Sequence, residues 1–163
     1  MHLYAGLFMM SEKFTIDTPI GRLDIEIADE SLRHVQLNSQ SDLTSPKSAF
    51  GIKVVKQINR YFEQASFQFD LPLFQSGTEH QLKVWSALSE IPVGSVLTYG
   101  ELAKKIGSSA RAIGNACRNN PIPLIVPCHR IVAASDIGGF SGAKKGVLLG
   151  IKRDLLCHEG LAY

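Results

Sequence analysis

Cysteine is scarce in this chain of 163 residues: Cys117, Cys128 and Cys157 are the whole complement. An odd number at irregular spacing fits neither a disulfide framework nor a zinc knuckle, so reduced thiols are expected. Also missing is any run approaching the roughly 18 to 20 uninterrupted apolar residues that a membrane helix needs. The opening MHLYAGLFMM lacks the basic flank and A-x-A-like cleavage site of a secretory leader. A cytoplasmic protein without membrane association is the expectation. Nor is there a large charge surplus, since 17 Lys+Arg stand against 15 Asp+Glu, and a net +2 is too little to announce a nucleic-acid binder by itself. No internal repeat is discernible.

What is present is a 45% apolar composition, enough for a proper core in one medium domain or two small ones packed together. The charge is unevenly spread: residues 1–75 hold 7 Lys+Arg and 9 Asp+Glu, residues 76–163 hold 10 and 6. The basic half is compatible with phosphate contacts, although solvated surface charge explains it equally well. Within residues 13–36 the runs KFTIDT and RLDIEIA alternate polar and apolar around the turn residues Pro19, Ile20 and Gly21, which predicts a hairpin. A third strand is predicted over 32–37, then a loop through NSQSDLTSPKS, then a helix with Phe50, Val54, Ile58 and Tyr61 on one stripe. FQFDLPL reads as a last strand, which puts a domain boundary at residues 74–77, so that 1–75 and 76–163 form the two domains. The second half reads mainly helical. A helix is predicted over 79–88 with Leu82, Trp85 and Leu88 or Ala87 buried, ended by Pro92 and Gly94. TYGELAKKIGSSARAIGNACRNNP then offers a short helix through Leu102, Ala103 and Ile106, a turn at Gly107, and Ser108 or Ser109 as cap of another helix. That is a helix-turn-helix pattern, one that proteins with no DNA-binding role also use.

The run NNPIPLIVPCHRIV sets Cys128, His129 and Arg130 in succession behind Pro121, Pro123 and Pro127. Prolines stiffen the approach and suit holding one side chain in place, and a cationic neighbourhood favours thiolate over thiol. Cys128 is therefore a candidate nucleophile, whereas Cys117 and Cys157 lie in helical patterns and read as small buried hydrophobes. Adjacency alone does not bring the His129 imidazole to the sulfur, because neighbours in an extended segment point to opposite sides; a bend or a bridging water is needed. If His129 is the base, a carboxylate should orient it, and composition does not choose which one.

With PCHRI, TYGELA, RAIGNACRNNP and the closing LLCHEG in this order, the chain resembles the O6-alkylguanine-DNA alkyltransferases, the methylated-DNA–protein-cysteine methyltransferases. The resemblance is strong over residues 74–160, and PCHR behind NPxP is its most specific element. It implies an α/β (α+β) fold, with a small N-terminal antiparallel sheet and helix, ribonuclease H-like, packed on a mainly helical C-terminal domain carrying a winged helix-turn-helix. It implies a stoichiometric, irreversible transfer of the alkyl group from O6-alkylguanine to Cys128, with O4-alkylthymine as a second candidate substrate and no cofactor. Through it Glu159 becomes the carboxylate that orients His129, which deprotonates Cys128 through a water. The lesion would be flipped out of double-stranded DNA bound at its minor groove by a monomer. Ala110 and Ala112 would allow close approach, and Arg111 would fill the gap left in the stack. By the same resemblance Tyr99 donates to guanine N3, and Asn120 braces the turn carrying the cysteine. Pro123, Ile131, Phe140 and Ser141 form the substrate pocket, with the Cys128 and Ile131 backbone accepting from the guanine amino group and the Ser141 N–H meeting O6. Arg130 takes a structural ion pair.

The chain departs from the family pattern in three places. Phe140 stands where many members carry tyrosine, the loop from 130 to 140 is slightly short while GAKKGVLLGIKRDLL is long, and the first domain has no cysteine for the structural zinc of some relatives. No metal is expected. Three rivals are an alkyltransferase-like lesion binder, a helix-turn-helix regulator and a thiol hydrolase. The first lacks the acceptor cysteine, the second needs a partner or sensor domain, and the third would turn over repeatedly on an ester or amide.

Overall fold

The computed structural model describes residues 10–163, so the leader question posed by residues 1–9 lies outside the described residues. β1 (Ser11–Thr18) and β2 (Gly21–Ala28) form the expected hairpin, with Thr18 opposite Gly21 and only Pro19 and Ile20 at the tip. Gly21 takes φ +102°, a value that L side chains adopt only under strain. β3 (Ser31–Gln36) adds antiparallel to β2 with an irregularity at Glu26/Ile27. Because side chains alternate across a strand, Leu23, Ile25 and Ile27 all point inward and are buried.

α1 (Ala49–Glu63) covers that face with Val54, Ile58 and Tyr61, as its spacing predicts. Its N-cap is Ser48, whose hydroxyl accepts from the Gly51 N–H at 3.0 Å and donates to Glu12 Oε1 at 2.6 Å, tying the helix start to β1. Fully burying each large apolar side chain of this interface contributes about 1.5–3 kcal/mol. FQFDLPL is not a strand. Its backbone pairs with the sheet only at Leu73, where Leu32 donates to the Pro72 carbonyl and Phe74 donates to the Leu32 carbonyl. Pro72 has no N–H to continue a ladder.

In the second half, α2 (Glu79–Ser89) begins with a capping box between Thr78 and Gln81. Val84, Trp85, Ala87 and Leu88 form its buried face. Leu82, expected there, is exposed, since the buried stripe recurs at 84/85 and 88 and leaves 82 on the flank. β4 (Leu97–Thr98) leads straight into α3 (Tyr99–Ile106), and Thr98 and Glu101 form a second capping box. Gly107, at φ +70°, ends α3 in the left-handed conformation, and Ser109 caps α4 (Ala110–Arg118) by accepting from the Ala112 N–H. The helix-turn-helix pattern is thus realised in the backbone. Trp85 Nε1 donates to the Ala116 carbonyl at 2.9 Å and anchors α4 on α2. β5 (Ile131–Val132) pairs parallel with β4, and α5 (Val147–His158) closes the described chain. One hydrophobic cluster runs from Phe14 to Leu155, so the two halves share a continuous core.

Candidate active site

Residues 120–130 form a chain of tight turns that ends on the candidate nucleophile. Asn120 Oδ1 accepts from the Ile122 N–H at 3.0 Å while its Nδ2 donates to the Val126 carbonyl at 2.9 Å, clamping both ends of the first turn. Inside it Leu124 is held at φ +75°, a strained value for a non-glycine residue. Pro127, at φ −81° and ψ 65°, centres an inverse γ-turn closed by the Cys128 N–H on the Val126 carbonyl at 2.8 Å. Residues Cys128–Arg130 then make one turn of 3₁₀ helix. The chain therefore bends at Cys128 and His129 instead of running extended.

His129 is fully buried, and its Nε2 lies 2.8 Å from Glu159 Oε1. Arg130 donates from Nε to Glu159 Oε2 at 2.9 Å and from a terminal nitrogen to Oε1 at 2.8 Å, and its other terminal nitrogen donates to the Ile91 carbonyl. Burial alone would raise the Glu159 carboxyl, but the hydrogen bonds and charges of His129 and Arg130 outweigh it and hold it down to about 2. An ionised carboxylate only accepts, so His129 Nε2 carries the hydrogen. Burial, opposed by Glu159, keeps His129 below its ordinary range and therefore neutral at pH 7. Its lone pair is consequently on Nδ1, which is buried and makes no hydrogen bond among the described residues. The arrangement is a neutral base with one accepting nitrogen unoccupied.

The expected bias of Cys128 toward thiolate is not what its surroundings produce. Burial pushes the thiol up, against the opposing Asn120 amide and the Lys152 ammonium, so the resting group is a thiol. Lys152 was not singled out by its sequence context. It is fully buried on α5, donates to the carbonyls of Ile131 at 2.5 Å and Gly139 at 2.8 Å, and is lowered to about 8 by burial. The signal was its place in the apolar stripe Ile151, Lys152, Leu155, Leu156. The spacing predicts Tyr61 in the core stripe of α1, and its ring lies there, but its hydroxyl also donates to Glu159 Oε1 at 2.8 Å.

Cys128 opens onto a cavity of about 830 Å³. Tyr99 lines it, half-buried, donating to the Gly139 carbonyl at 3.3 Å, and burial pushes its hydroxyl up to about 12. Phe140 and Ser141 also line it, on a turn closed by mutual bonds between Phe140 and Ala143 at 2.8 Å. Ser141 at φ 49° and Gly142 at φ 82° give that turn its primed hand. Gly138 is required on the same loop, because at φ +72° a Cβ would approach the Ala133 nitrogen to 3.0 Å and the Tyr99 ring to 3.1 Å. Ala110 and Arg111, both exposed at the start of α4, form the rim, and Ala112 lies half-buried behind them. Pro123 and Ile131 are buried but do not line the cavity, and the Ile131 carbonyl already accepts from Lys152. Cys117 lines the cavity beside Cys128, while Cys157, read as buried, is exposed. No group of three or more metal-ligating side chains occurs among the described residues. None of the described helices is long and apolar enough to cross a membrane.

Comparison with known proteins adds an independent line. Residues 79–161 match the family described as 6-O-methylguanine DNA methyltransferase, DNA binding domain. A methylated-DNA–protein-cysteine methyltransferase of Mycolicibacterium paratuberculosis is 37% identical, over 88% of this chain and 93% of that protein. One from Methanosarcina acetivorans is 39% identical, over 88% of this chain and 95% of that protein. The crystal structure of Mycobacterium tuberculosis OGT in complex with DNA superposes with a TM-score of 0.77 at 37% identity, covering 91% of this chain and 92% of that one.

Proposed function

Because this chain belongs to the methylated-DNA–protein-cysteine methyltransferase family, we propose that it repairs alkylated DNA by moving the alkyl group from O6 of guanine onto Cys128, once per molecule. The observation that carries the reading is the buried relay Glu159–His129, with its unpaired Nδ1, beside a thiol at the base of an open cavity. His129 Nδ1 takes the Cys128 proton through a water, and Glu159 stabilises the imidazolium. The thiolate attacks the alkyl carbon in line; the S–C bond forms as the C–O6 bond breaks, and the electron pair leaves with the guanine. Tyr99 exchanges its long bond to the Gly139 carbonyl for one donated to N3, which offsets the charge on the departing base. The product is a thioether, and no group in the site cleaves an unactivated C–S bond. No cofactor or metal enters the scheme. Asn120 acts by bracing the turn that carries Cys128, and Arg130 by pairing with Glu159.

A target carbon inside a duplex does not reach a sulfur at the base of a cavity, so the nucleotide is rotated out of the stack. The α3–α4 pair is read as a winged helix-turn-helix whose second helix lies in the minor groove, with Ala110 and Ala112 against the backbone and Arg111 filling the vacated space. Residues 1–75 are read as a ribonuclease H-like domain packed on the alkyl-acceptor domain of 76–163. The protein works as a cytoplasmic monomer on double-stranded DNA. The pocket takes the base against Phe140, Ser141 and the Ile131 backbone, whose carbonyl has a second lone pair for the guanine amino group. Pro123 supports the wall from behind.

The test is to follow conversion of O6-methylguanine to guanine in a short duplex with lesion in tenfold excess. Conversion that stops at one lesion per protein molecule is expected; continued turnover, or binding without conversion, contradicts the proposal.

A further inference from the structure

We propose that Tyr61 is a positioning residue for alkyl transfer, acting on the Cys128 thiol through Glu159 and His129. The inference rests on the transfer reading above. Glu159 Oε1 receives three donors, Tyr61, His129 and Arg130, each at 2.8 Å, and Oε2 receives Arg130 Nε at 2.9 Å. His129 and Arg130 come from the 3₁₀ turn of Cys128 itself, and Glu159 caps the C-terminus of α5. Tyr61, 98 residues away, is the one donor from the first half of the chain among the described residues.

Tyr61 is well fixed for this purpose. Its ring is 1% exposed, packs edge-on to His158 at 5.0 Å between centroids, and contacts Phe62 and Phe69. Its carbonyl accepts from His158 Nε2 at 2.8 Å, so α1 grips two consecutive residues, His158 and Glu159. A ring that served only to pack would be equally served by phenylalanine. The hydroxyl is buried against a carboxylate, and that carboxylate sits at a helix C-terminus, where the helix dipole disfavours negative charge. The hydroxyl stays protonated, because burial and the adjacent Glu159 push its ionisation up. The Arg130 fork already holds both carboxylate oxygens, and the Tyr61 hydroxyl, a further donor on Oε1 from α1, restrains the carboxylate in that orientation. The direction of the His129 Nε2–H follows from it, and with that the aim of Nδ1 toward the Cys128 proton.

The experiment compares single-turnover transfer from a duplex containing one O6-methylguanine by wild type, Y61F, E159Q and the double variant. In the wild-type background Y61F should lower the first-order rate constant at saturating duplex by about three- to tenfold, less than the full worth of a hydrogen bond to a charged group because Tyr61 acts on the thiol only through Glu159 and His129. The half-saturating duplex concentration should be unchanged, and Y61F should add no further slowing to E159Q. Rate constants are independent of the reaction end-point, which counts the folded molecules, so partial unfolding of a variant does not mask the comparison. Equal slowing in both backgrounds, no slowing in the wild-type background, or a change confined to half-saturation would overturn the proposal. A wild type that transfers nothing would instead remove the reading on which it rests.

Discussion

Replacing Glu159 by Gln removes the charge around which the buried centre is built and leaves Arg130 without its ionic partner. The side chain of Glu159 is fully buried, and its carboxyl is held at about 2 against an ordinary 4.5. A difference of that size corresponds to about 3 kcal/mol of stability at neutral pH, within the range of about 3–5 kcal/mol for breaking a buried pair on one side. The sign follows from the depressed folded value. The contribution is complete above the unfolded carboxyl's 4.5 and is lost as pH falls toward about 2. His129, buried and neutral, also costs stability as pH drops below its ordinary 6.5, and it does so more in E159Q, where the Glu159 charge no longer favours its protonation, which offsets part of the narrowing. Urea denaturation of wild type and E159Q at pH 7, 4 and 2.5 should therefore show a gap of about 3 kcal/mol at pH 7 that narrows through the two acidic points. A variant as stable as wild type at pH 7, or a gap that stays constant to pH 2.5, would refute the assignment of Glu159 as the ionised anchor.

Asn120→Ala removes both clamps on the turn that holds Leu124 at positive φ and should cost about 2–3 kcal/mol in urea denaturation, with slower alkyl transfer. Lys152→Met leaves the carbonyls of Ile131 and Gly139 without their donor, and hydrogen exchange should show lost protection in the loop around Gly138 and Phe140. Unchanged protection there would mean that Lys152 does not hold the pocket wall. Arg111→Ala, at the exposed rim of the cavity, should slow transfer from duplex more than from single-stranded DNA. It should also reduce the slope of log affinity against log salt by about one if the side chain displaces a counterion.

Much of the frame was legible because it rests on local rules. The alternation of KFTIDT and RLDIEIA, the stripe Val54, Ile58, Tyr61 and the serine and threonine caps all specify their elements within a few residues. FQFDLPL alternates equally well, yet whether it pairs depends on a neighbouring strand edge and on Pro72, neither of which periodicity registers. In the site, PCHR pointed to Cys128 and His129 directly. The state of the thiol did not follow, since burial of Cys128 opposes its cationic neighbours and burial is a property of the whole fold. Tyr61 and Lys152 share a cause for having been missed. Each occupies an apolar stripe that accounts for its position, while the polar atom at its far end finds a partner about 100 and about 20 residues away, respectively. Helical spacing shows which face a residue joins, but not what the end of its side chain touches.

Transfer to Cys128 itself is decided by intact mass and peptide mapping after incubation with a duplex carrying one O6-methylguanine, with Cys128→Ala alongside. One gain of about 14 Da per molecule is expected, mapped to the peptide containing Cys128, persistent on dilution and absent from the variant. Tight lesion binding with no mass gain, or the same gain in Cys128→Ala, would contradict it.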